Sequence, residues 1–382
     1  PPNHGTGPRT MIETLEIKGF RAFEHLTMTG LGRINLLVGS NNSGKTSVLE
    51  AIYLLASGGD PLSIRRLLAS RAEQFNDDNG PQETEYDVCH LFHGHELNIG
   101  TEFSILAKNI CWDVAISIKD SGERVSTEQQ MKSERRPPWR RESIEFSDSK
   151  YCITVRTRTD SCGYMLPLTH RGGLTESIAR RNHERKFYYV NALEYVPTGS
   201  YSASNLVDMW SDIALSDEEK TIIEALSTIE PDVDRIAALM LPRFSNGSNG
   251  RGGFILRLKG AKRPLPIGSL GDGMWRMLAL AIALVKAKDG ILLVDEIDTG
   301  LHYTVLEKMW TLVAQTAKEL NVQVFATTHS YDCIKSLATV CTENGYENNE
   351  VTVQRIEPGH DTPVSYTASV INAAAELHVE VR

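Results

Sequence analysis

Apolar and polar positions change rhythm along the chain, and each rhythm predicts an element. Residues 12–19 alternate, with Ile12, Leu15 and Ile17 on the apolar side, as a half-buried strand does. Ile34-Asn35-Leu36-Leu37-Val38 is a short apolar run of the kind found in strands of parallel sheets, which are buried on both faces. Gly39 ends it. A helix is predicted from about Ser43, carrying Val48, Leu49, Ile52 and Leu55 at helical spacing. Asp60-Pro61 reads as the N-cap and first-turn proline of a second helix that ends near Ala72.

From about residue 74 to 253 the pattern changes. Residues 76–83 read as a polar linker, and β-rich runs follow at 86–92, 101–108, 112–118, 151–158 and 187–190. Residues 121–149, polar and interrupted by Pro137-Pro138, read as a loop. Residues 202–240 read as helical: Ile222, Leu226, Ile229, Val233, Ile236 and Met240 recur every three or four positions. Ser216 with Glu219 forms a capping box there, and Pro231 divides the stretch into two helices. A glycine-rich loop at 246–253 closes the region. Beyond it come a strand at 254–259, a turn at 268–273 and a helix with Met274, Leu278, Ala281, Ile282 and Val285 on one face. A buried strand at 291–294, a helix at 304–320 and a buried strand at 322–326 complete the run. Strand and helix alternating in this way predict an α/β fold, with helices on both faces of the sheet.

Composition narrows the class without deciding it. The 382 residues are 41% hydrophobic and 23% charged, which excludes collagen-like, disordered and disulfide-scaffold proteins. The longest strongly apolar stretch, 277–285, falls far short of the roughly 20 residues a membrane helix needs. With no signal-peptide pattern at the start, the expectation is a cytoplasmic protein with no membrane partner. Residues 1–10 read as an expression remnant or a disordered lead-in. The net charge of −9 does not hold the chain on nucleic acid, so any DNA contact needs a local basic groove. Residues 132–141, with five basic side chains and Trp139, and residues 180–186, with four, are the candidates; each also reads as a solvated loop. The six cysteines contain no C-x-x-C pair and read as reduced thiols. His90, His93 and His95 crowd a strand end and turn, where a metal site or simple packing both fit. Trp210, Trp275 and Trp310 read as packing residues.

The chemistry gathers in three places. Gly39-Ser40-Asn41-Asn42-Ser43-Gly44-Lys45-Thr46, followed by Ser47, matches G-x-x-x-x-G-K-[ST] between a buried strand and a helix. Glycines let the backbone wrap a phosphate, and the loop amides with the helix N-terminus meet its negative charge. Lys45 would reach the β- and γ-phosphates of ATP, and Thr46 would give its hydroxyl to Mg²⁺. Asp295-Glu296 follows the apolar run 291–294, at the carboxyl edge where open α/β sheets bind ligands. Asp295 is a candidate to hold Mg²⁺ through water, and Glu296 to orient or deprotonate the attacking water. His329, in Thr327-Thr328-His329-Ser330 after the next buried strand, would stand beside the γ-phosphate.

Together these residues resemble the ABC-type ATPases of the SMC, RecF and OLD group. The fold this implies is a P-loop NTPase, an ABC ATPase head, with an inserted mixed α+β segment. The resemblance makes residues 39–46 a Walker A loop, Asp295-Glu296 a Walker B end with the catalytic glutamate, and His329 the switch histidine. The opening Ile17-Lys18-Gly19-Phe20-Arg21-Ala22-Phe23 resembles the group's entry strand and turn. Ser269, Leu270, Gly271, Asp272 and Gly273 occupy the place of the signature motif, which in the family meets the γ-phosphate held by the opposite subunit. Here Gly271 replaces the family's serine and Asp272 its first glycine, and Ser269 offers a hydroxyl one step away. Thr299-Gly300-Leu301-His302 stands where the D-loop does, with His302 in place of aspartate. Gln74 and Gln82 are the candidates for the Q-loop glutamine, and Arg276 reads equally as orienting the signature helix, meeting phosphate or packing.

The likeness is strongest to the stand-alone OLD-like AAA-family ATPases of bacterial antiphage defence operons, on DEIDTGLH at 295–302 and ATTHS at 326–330. It implies a homodimer or higher homo-oligomer working with a separate effector such as a Toprim-like nuclease, and no nuclease active site is expected in this chain. Two functions follow. One is a nucleotide-gated sensor or scaffold in antiphage defence. The other is a RecF-like ATPase that handles DNA in repair. The expected division is a first ATPase part at 11–75, an inserted lid or arm at 76–253 and a second ATPase part at 254–382.

Overall fold

The computed structural model describes residues 11–75, 83–121, 150–158, 160–183, 190, 192–239, 253–346, 350–367, 369–371 and 373. Residues 1–10, 76–82 with Gln82, 122–149 with Trp139, 184–189 and 240–252 lie outside the described residues, and with them the expectations that fall there.

In chain order the first half contains β1 (Thr14–Phe20), β2 (Phe23–Thr29), β3 (Ile34–Val38), α1 (Lys45–Ala56), α2 (Pro61–Ser70), β4 (Glu85–Asp87), β5 (Glu102–Ala107), β6 (Trp112–Asp120), β7 (Tyr151–Thr157), β8 (Asp160–Pro167), β9 (Gly173–Thr175) and α3 (Glu176–Asn182). The second half contains β10 (Leu193–Val196), α4 (Ala203–Ser211), α5 (Glu218–Ser227), β11 (Val233–Ala238), β12 (Phe254–Leu258), β13 (Leu265–Pro266), α6 (Asp272–Lys286), β14 (Ile291–Val294), α7 (Leu306–Glu319), β15 (Gln323–Thr327), α8 (Tyr331–Asn344), β16 (Val351–Arg355) and β17 (Val364–Thr367).

The chain divides into two compact units. The first comprises Pro1–Glu13, Thr29–Leu49 and Val190–Arg382, and the second Thr14–Met28 and Glu50–Tyr189. This division differs from the sequence expectation on both sides. β1 pairs antiparallel with β5, so the entry hairpin belongs with the inserted strands. β10 pairs parallel with β14, so the chain from 190 onward belongs with the ATPase part.

The first unit is built on a six-stranded sheet ordered β10-β14-β15-β3-β16-β17. Its first five strands run parallel, and only β17 is antiparallel to its neighbour. Val196 faces Val294, Val294 faces Ala326 and Ala326 faces Leu36. The carboxyl ends of four strands therefore reach one edge in register, and whatever follows each strand is delivered there. β3, β14 and β15 are buried along their whole length, which explains their unbroken apolar runs. The polar Asn35 is tolerated at the middle of β3 because its side chain bonds Gly32 through both its amide group and its oxygen, and also Val324 O and Thr352 Oγ1. α6 is buried on nearly all sides, from Met274 to Val285, and this accounts for the longest apolar run. No helix among the described residues is long and apolar enough to cross a membrane. Trp210, Trp275 and Trp310 all pack in the core, and Trp310 donates its indole N–H to Cys333 O at 2.9 Å.

The second unit is a sheet ordered β2-β1-β5-β6-β7-β8, with a two-stranded β4-β9 pair beside α2 and α3. Phe103 packs against Phe20 and Phe92, with ring centroids 5.0 and 5.2 Å apart. α2 starts as expected, with Asp60 accepting from Ser63 N.

Three local expectations are corrected. The run at 86–92 is a strand only over Glu85–Asp87. The Asp87 carboxylate then accepts from Cys89 N at 3.0 Å and turns the chain into a 3₁₀ helix, Val88–Leu91. The helix expected past Pro231 is the strand β11, paired antiparallel with β12. A β-bulge between Val233 and Arg235 shifts the register, so Val233 and Ile236 are both buried although they are three residues apart. That spacing mimics a helix. The capping box at Ser216 is also displaced: α5 begins at Glu218, and Glu219 accepts from Leu215 N at 2.8 Å.

Candidate functional site: a phosphate-type loop against a carboxylate edge

The loop between β3 and α1 lies in the first unit. Gly39 has φ +140°, and a Cβ there would stand 2.3 Å from Ile356 O, so only glycine fits. Asn42 and Gly44 also turn through positive φ. Ser40, Asn41 and Asn42 are exposed, whereas Ser43, Lys45 and Ser47 are buried. Ser43 Oγ is buried without a hydrogen-bond partner. The Lys45 ammonium donates to Gly39 O at 2.9 Å and Ser40 O at 2.8 Å. Burial pulls its pKa below the ordinary lysine value, and the charges of Asp295 and Glu296 oppose that shift. The first-turn amides of α1 have no partner within the helix and are left to bond outside it.

Thr46 reaches from this loop to the end of β14, where its hydroxyl donates to Asp295 Oδ1 at 3.1 Å. Asp295 accepts two further hydroxyls: Thr327 on Oδ1 at 2.7 Å and Thr198 on Oδ2 at 2.8 Å. Three strand ends and the loop thus converge on one carboxylate. Thr327 Oγ1 also accepts from Glu296 N at 2.8 Å. Glu296 itself has φ +47°, an uncommon conformation for a side chain of its size. Its Oε2 accepts from Thr299 Oγ1 at 3.1 Å, and its Oε1 lies 3.9 Å from His329 Nε2. Thr328, next to His329, donates to Asp298 at 2.7 Å and so ties the loop after β15 to the loop after β14.

Ser269 and Leu270 end a 3₁₀ turn, Gly271 takes φ +89°, and Asp272 and Gly273 open α6. These residues adjoin the D-loop-like segment: a Cβ on Gly273 would lie 3.6 Å from the Leu301 side chain, and a Cβ on Gly300 would lie 3.7 Å from Asp272 Cβ. His302 bonds Thr304 and lies against Tyr303, the ring planes tilted by 40° and the centroids 4.3 Å apart. Sequence reasoning missed Thr198, an isolated threonine with no pattern around it, and named Thr299 and Thr327 only within motifs, without the bonds they make. Arg276 had a signal, an arginine inside an apolar helical run, but its partners did not show. It is buried and bonds backbone carbonyls.

The histidine cluster lies in the second unit. His93 Nδ1 bonds Arg21 O at 2.9 Å, and the rings of His90 and His95 are 5.3 Å apart. His90, Asp87 and Cys89 bring potential ligand atoms within 4.8 Å of one another. Gln74 forms a β-bridge with Tyr86 in the same unit.

A parallel sheet, a glycine-bounded loop opening a helix and a carboxylate at the neighbouring strand end define a P-loop nucleotide-binding fold of the ATPase class. The chain belongs to the family described as "AAA domain, putative AbiEii toxin, Type IV TA system", whose model matches residues 34–332. It is similar to a protein of Helicobacter pylori named ATP/GTP phosphatase, with 22% identity over 88% of this chain and 90% of the relative. It is also similar to the DNA replication and repair protein RecF of Erwinia tasmaniensis, 36% identical over 122 residues, which is 31% of this chain and 30% of RecF. Among solved structures it matches a Pyrococcus furiosus SMC head domain bound to the C-terminal domain of ScpA. That match has 12% identity and a TM-score of 0.46, and covers 97% of this chain and 99% of the other.

Proposed function

We propose that the chain binds ATP with Mg²⁺ at the loop 39–47 and hydrolyses it, and that the nucleotide state gates a separate effector in antiphage defence. The observation that carries the nucleotide reading is the meeting of Thr46 with Asp295 beside the Lys45 ammonium. The residues present suit a triphosphate: a cradle that a Cβ at Gly39 would fill, an unpartnered buried hydroxyl on Ser43, and a cation already desolvated. Thr46 and Asp295 would hold Mg²⁺, which would offset the charge of the β- and γ-phosphates.

In this reading Lys45 leaves the carbonyls of Gly39 and Ser40 to bind phosphate oxygens. Glu296 takes a proton from the attacking water, whose oxygen bonds phosphorus as the bond to the ADP oxygen breaks, giving ADP and phosphate. Thr299 orients the carboxylate of Glu296, and His329, beside Glu296, donates to the γ-phosphate. The signature-like Ser269, Leu270, Gly271, Asp272 and Gly273 would serve the nucleotide of a second copy, so the working form is a homodimer or larger homo-oligomer closed by ATP and reset by hydrolysis. The family's description as part of a toxin–antitoxin system supports a chain that acts with a partner protein.

Nucleotide binding by calorimetry and phosphate release test this directly. Lys45→Ala should lose ATP binding, while Glu296→Gln should bind ATP and hydrolyse it poorly. Hydrolysis by Glu296→Gln at the wild-type rate would remove Glu296 as the base. The partial likeness to RecF supports a second reading, a DNA-handling ATPase. DNA-stimulated hydrolysis with a steep salt dependence would favour it, and co-purification with a neighbouring gene product would favour the effector reading.

A further inference from the structure

Arg276 is an ion in an unusual place. It sits in the first turns of α6 with 2% of its surface exposed. No carboxylate among the described residues takes its hydrogen bonds, although the charges of Asp298, Asp295 and Glu296 act on it. NH1 donates to Pro197 O at 3.1 Å, and NH2 donates to Asp295 O at 2.9 Å and Glu296 O at 2.8 Å. The three acceptors follow the ends of two adjacent parallel strands, β10 and β14. A guanidinium has the planar fork needed to hold several such carbonyls at once, and an ammonium does not.

The consequence falls on Glu296. Its amide is held by Thr327, its carbonyl by Arg276, and its backbone stays at φ +47°. Fixing both peptide planes fixes the direction of the Cα–Cβ bond, and with it where the carboxylate can reach. A strained conformation persists only when its surroundings over-determine it. The same helix begins at Asp272 and Gly273, which neighbour Gly300 and Leu301 with room for little more than an added Cβ between them, so α6 borders the loop after Glu296 at its start as well as holding Glu296 through Arg276.

We propose that Arg276 is a positioning residue for hydrolysis: it clamps the backbone of Asp295 and Glu296 so that the Glu296 carboxylate is presented to water, and it makes the start of α6 and the catalytic carboxylate move together. The proposal rests on the reading of Glu296 as the base.

Steady-state hydrolysis and ATP affinity of Arg276→Met, Arg276→Lys and Glu296→Gln, alone and combined, test it. Arg276→Met should lower kcat about 10- to 100-fold, as small misplacements of a catalytic group do, while Kd for ATP stays near the wild-type value. Arg276→Lys, which keeps the charge but not the fork, should fall between. Arg276→Met combined with Glu296→Gln should be no slower than Glu296→Gln alone, because the clamp then has nothing to position. Wild-type kcat in Arg276→Met, a loss confined to ATP affinity, or losses that multiply in the double variant would overturn the proposal. If Arg276→Met does not fold, Arg276→Lys decides, and a wild-type rate there rejects the clamp. Failure of the underlying reading shows separately, as absent ATP binding by the wild type or undiminished hydrolysis by Glu296→Gln.

Discussion

Thr46 and Asp295, 249 positions apart in the sequence, meet through a 3.1 Å hydrogen bond. The contact joins the first turn of α1 to the end of β14, and it needs the parallel register of the whole sheet to form. Replacing Thr46 by Val keeps the shape and removes the hydroxyl. Asp295 keeps its bonds to Thr198 and Thr327, so stability should fall by only about 1 kcal/mol. Magnesium-dependent ATP binding should fall much further. Calorimetric titrations with and without Mg²⁺ would separate the two effects, and equal losses in both would argue against a metal role for Thr46.

Gly39→Ala is expected to be severe. The added methyl would stand 2.3 Å from Ile356 O, at a φ of +140° that side chains avoid. We expect a lower melting temperature and loss of nucleotide-induced stabilisation, measured in a single thermal-shift series. Retained stabilisation by ATP would mean that the loop can shift away from Ile356.

Thr327→Val removes one hydroxyl that serves two partners, the Asp295 carboxylate and the Glu296 amide. Leaving a buried donor unsatisfied costs about 1–3 kcal/mol. Chemical denaturation should show a loss in that range, and Thr327→Ser should restore most of it. Val and Ser variants of equal stability would show that the hydroxyl does not hold the turn.

Lys45 sets a pH dependence whose sign follows from its environment. Burial holds its folded pKa below the unfolded value of 10.5, so the unfolded chain binds more protons in the alkaline range. The Lys45 contribution therefore improves as pH rises through the folded pKa toward 10.5 and is constant above it. The unfolding free energy of the nucleotide-free wild type, compared with Lys45→Met, should move in favour of wild type across that window. A difference that stays flat with pH would mean that the ammonium is solvated.

In the second unit, Glu50 is buried between two arginines: Arg21 Nε and Arg71 Nε each lie 2.7 Å from its carboxylate. Arg21 also pairs with Glu73 at 2.6 Å. Glu50→Ala leaves the buried Arg21 guanidinium short of one partner, and a loss of about 3–5 kcal/mol is expected by urea denaturation. A loss under about 1 kcal/mol would place the network among weak surface pairs.

Much of this architecture can be read in the chain, for definite reasons. β3, β14 and β15 betray themselves because strands buried on both faces must be apolar throughout, and the residues after such strands go to one edge. The glycine-bounded loop shows itself because its backbone leaves few alternatives to glycine. β11 misled because a bulge gave a strand the apolar spacing of a helix. β10 was missed because Leu193–Val196 keeps only its last residue fully buried. The bonds from Thr198 and Thr327 to Asp295 and the carbonyl partners of Arg276 exist only once distant strand ends have met, and no local pattern encodes them.

Glu296 stands at a backbone angle that glycine would occupy without penalty. Natural selection for thermal endurance alone would favour the smaller residue there, and a laboratory search for hardier variants is expected to find Glu296→Gly as an apparent improvement. On the role proposed for Glu296, the same exchange should abolish turnover, so endurance and hydrolysis would pull this one position in opposite directions.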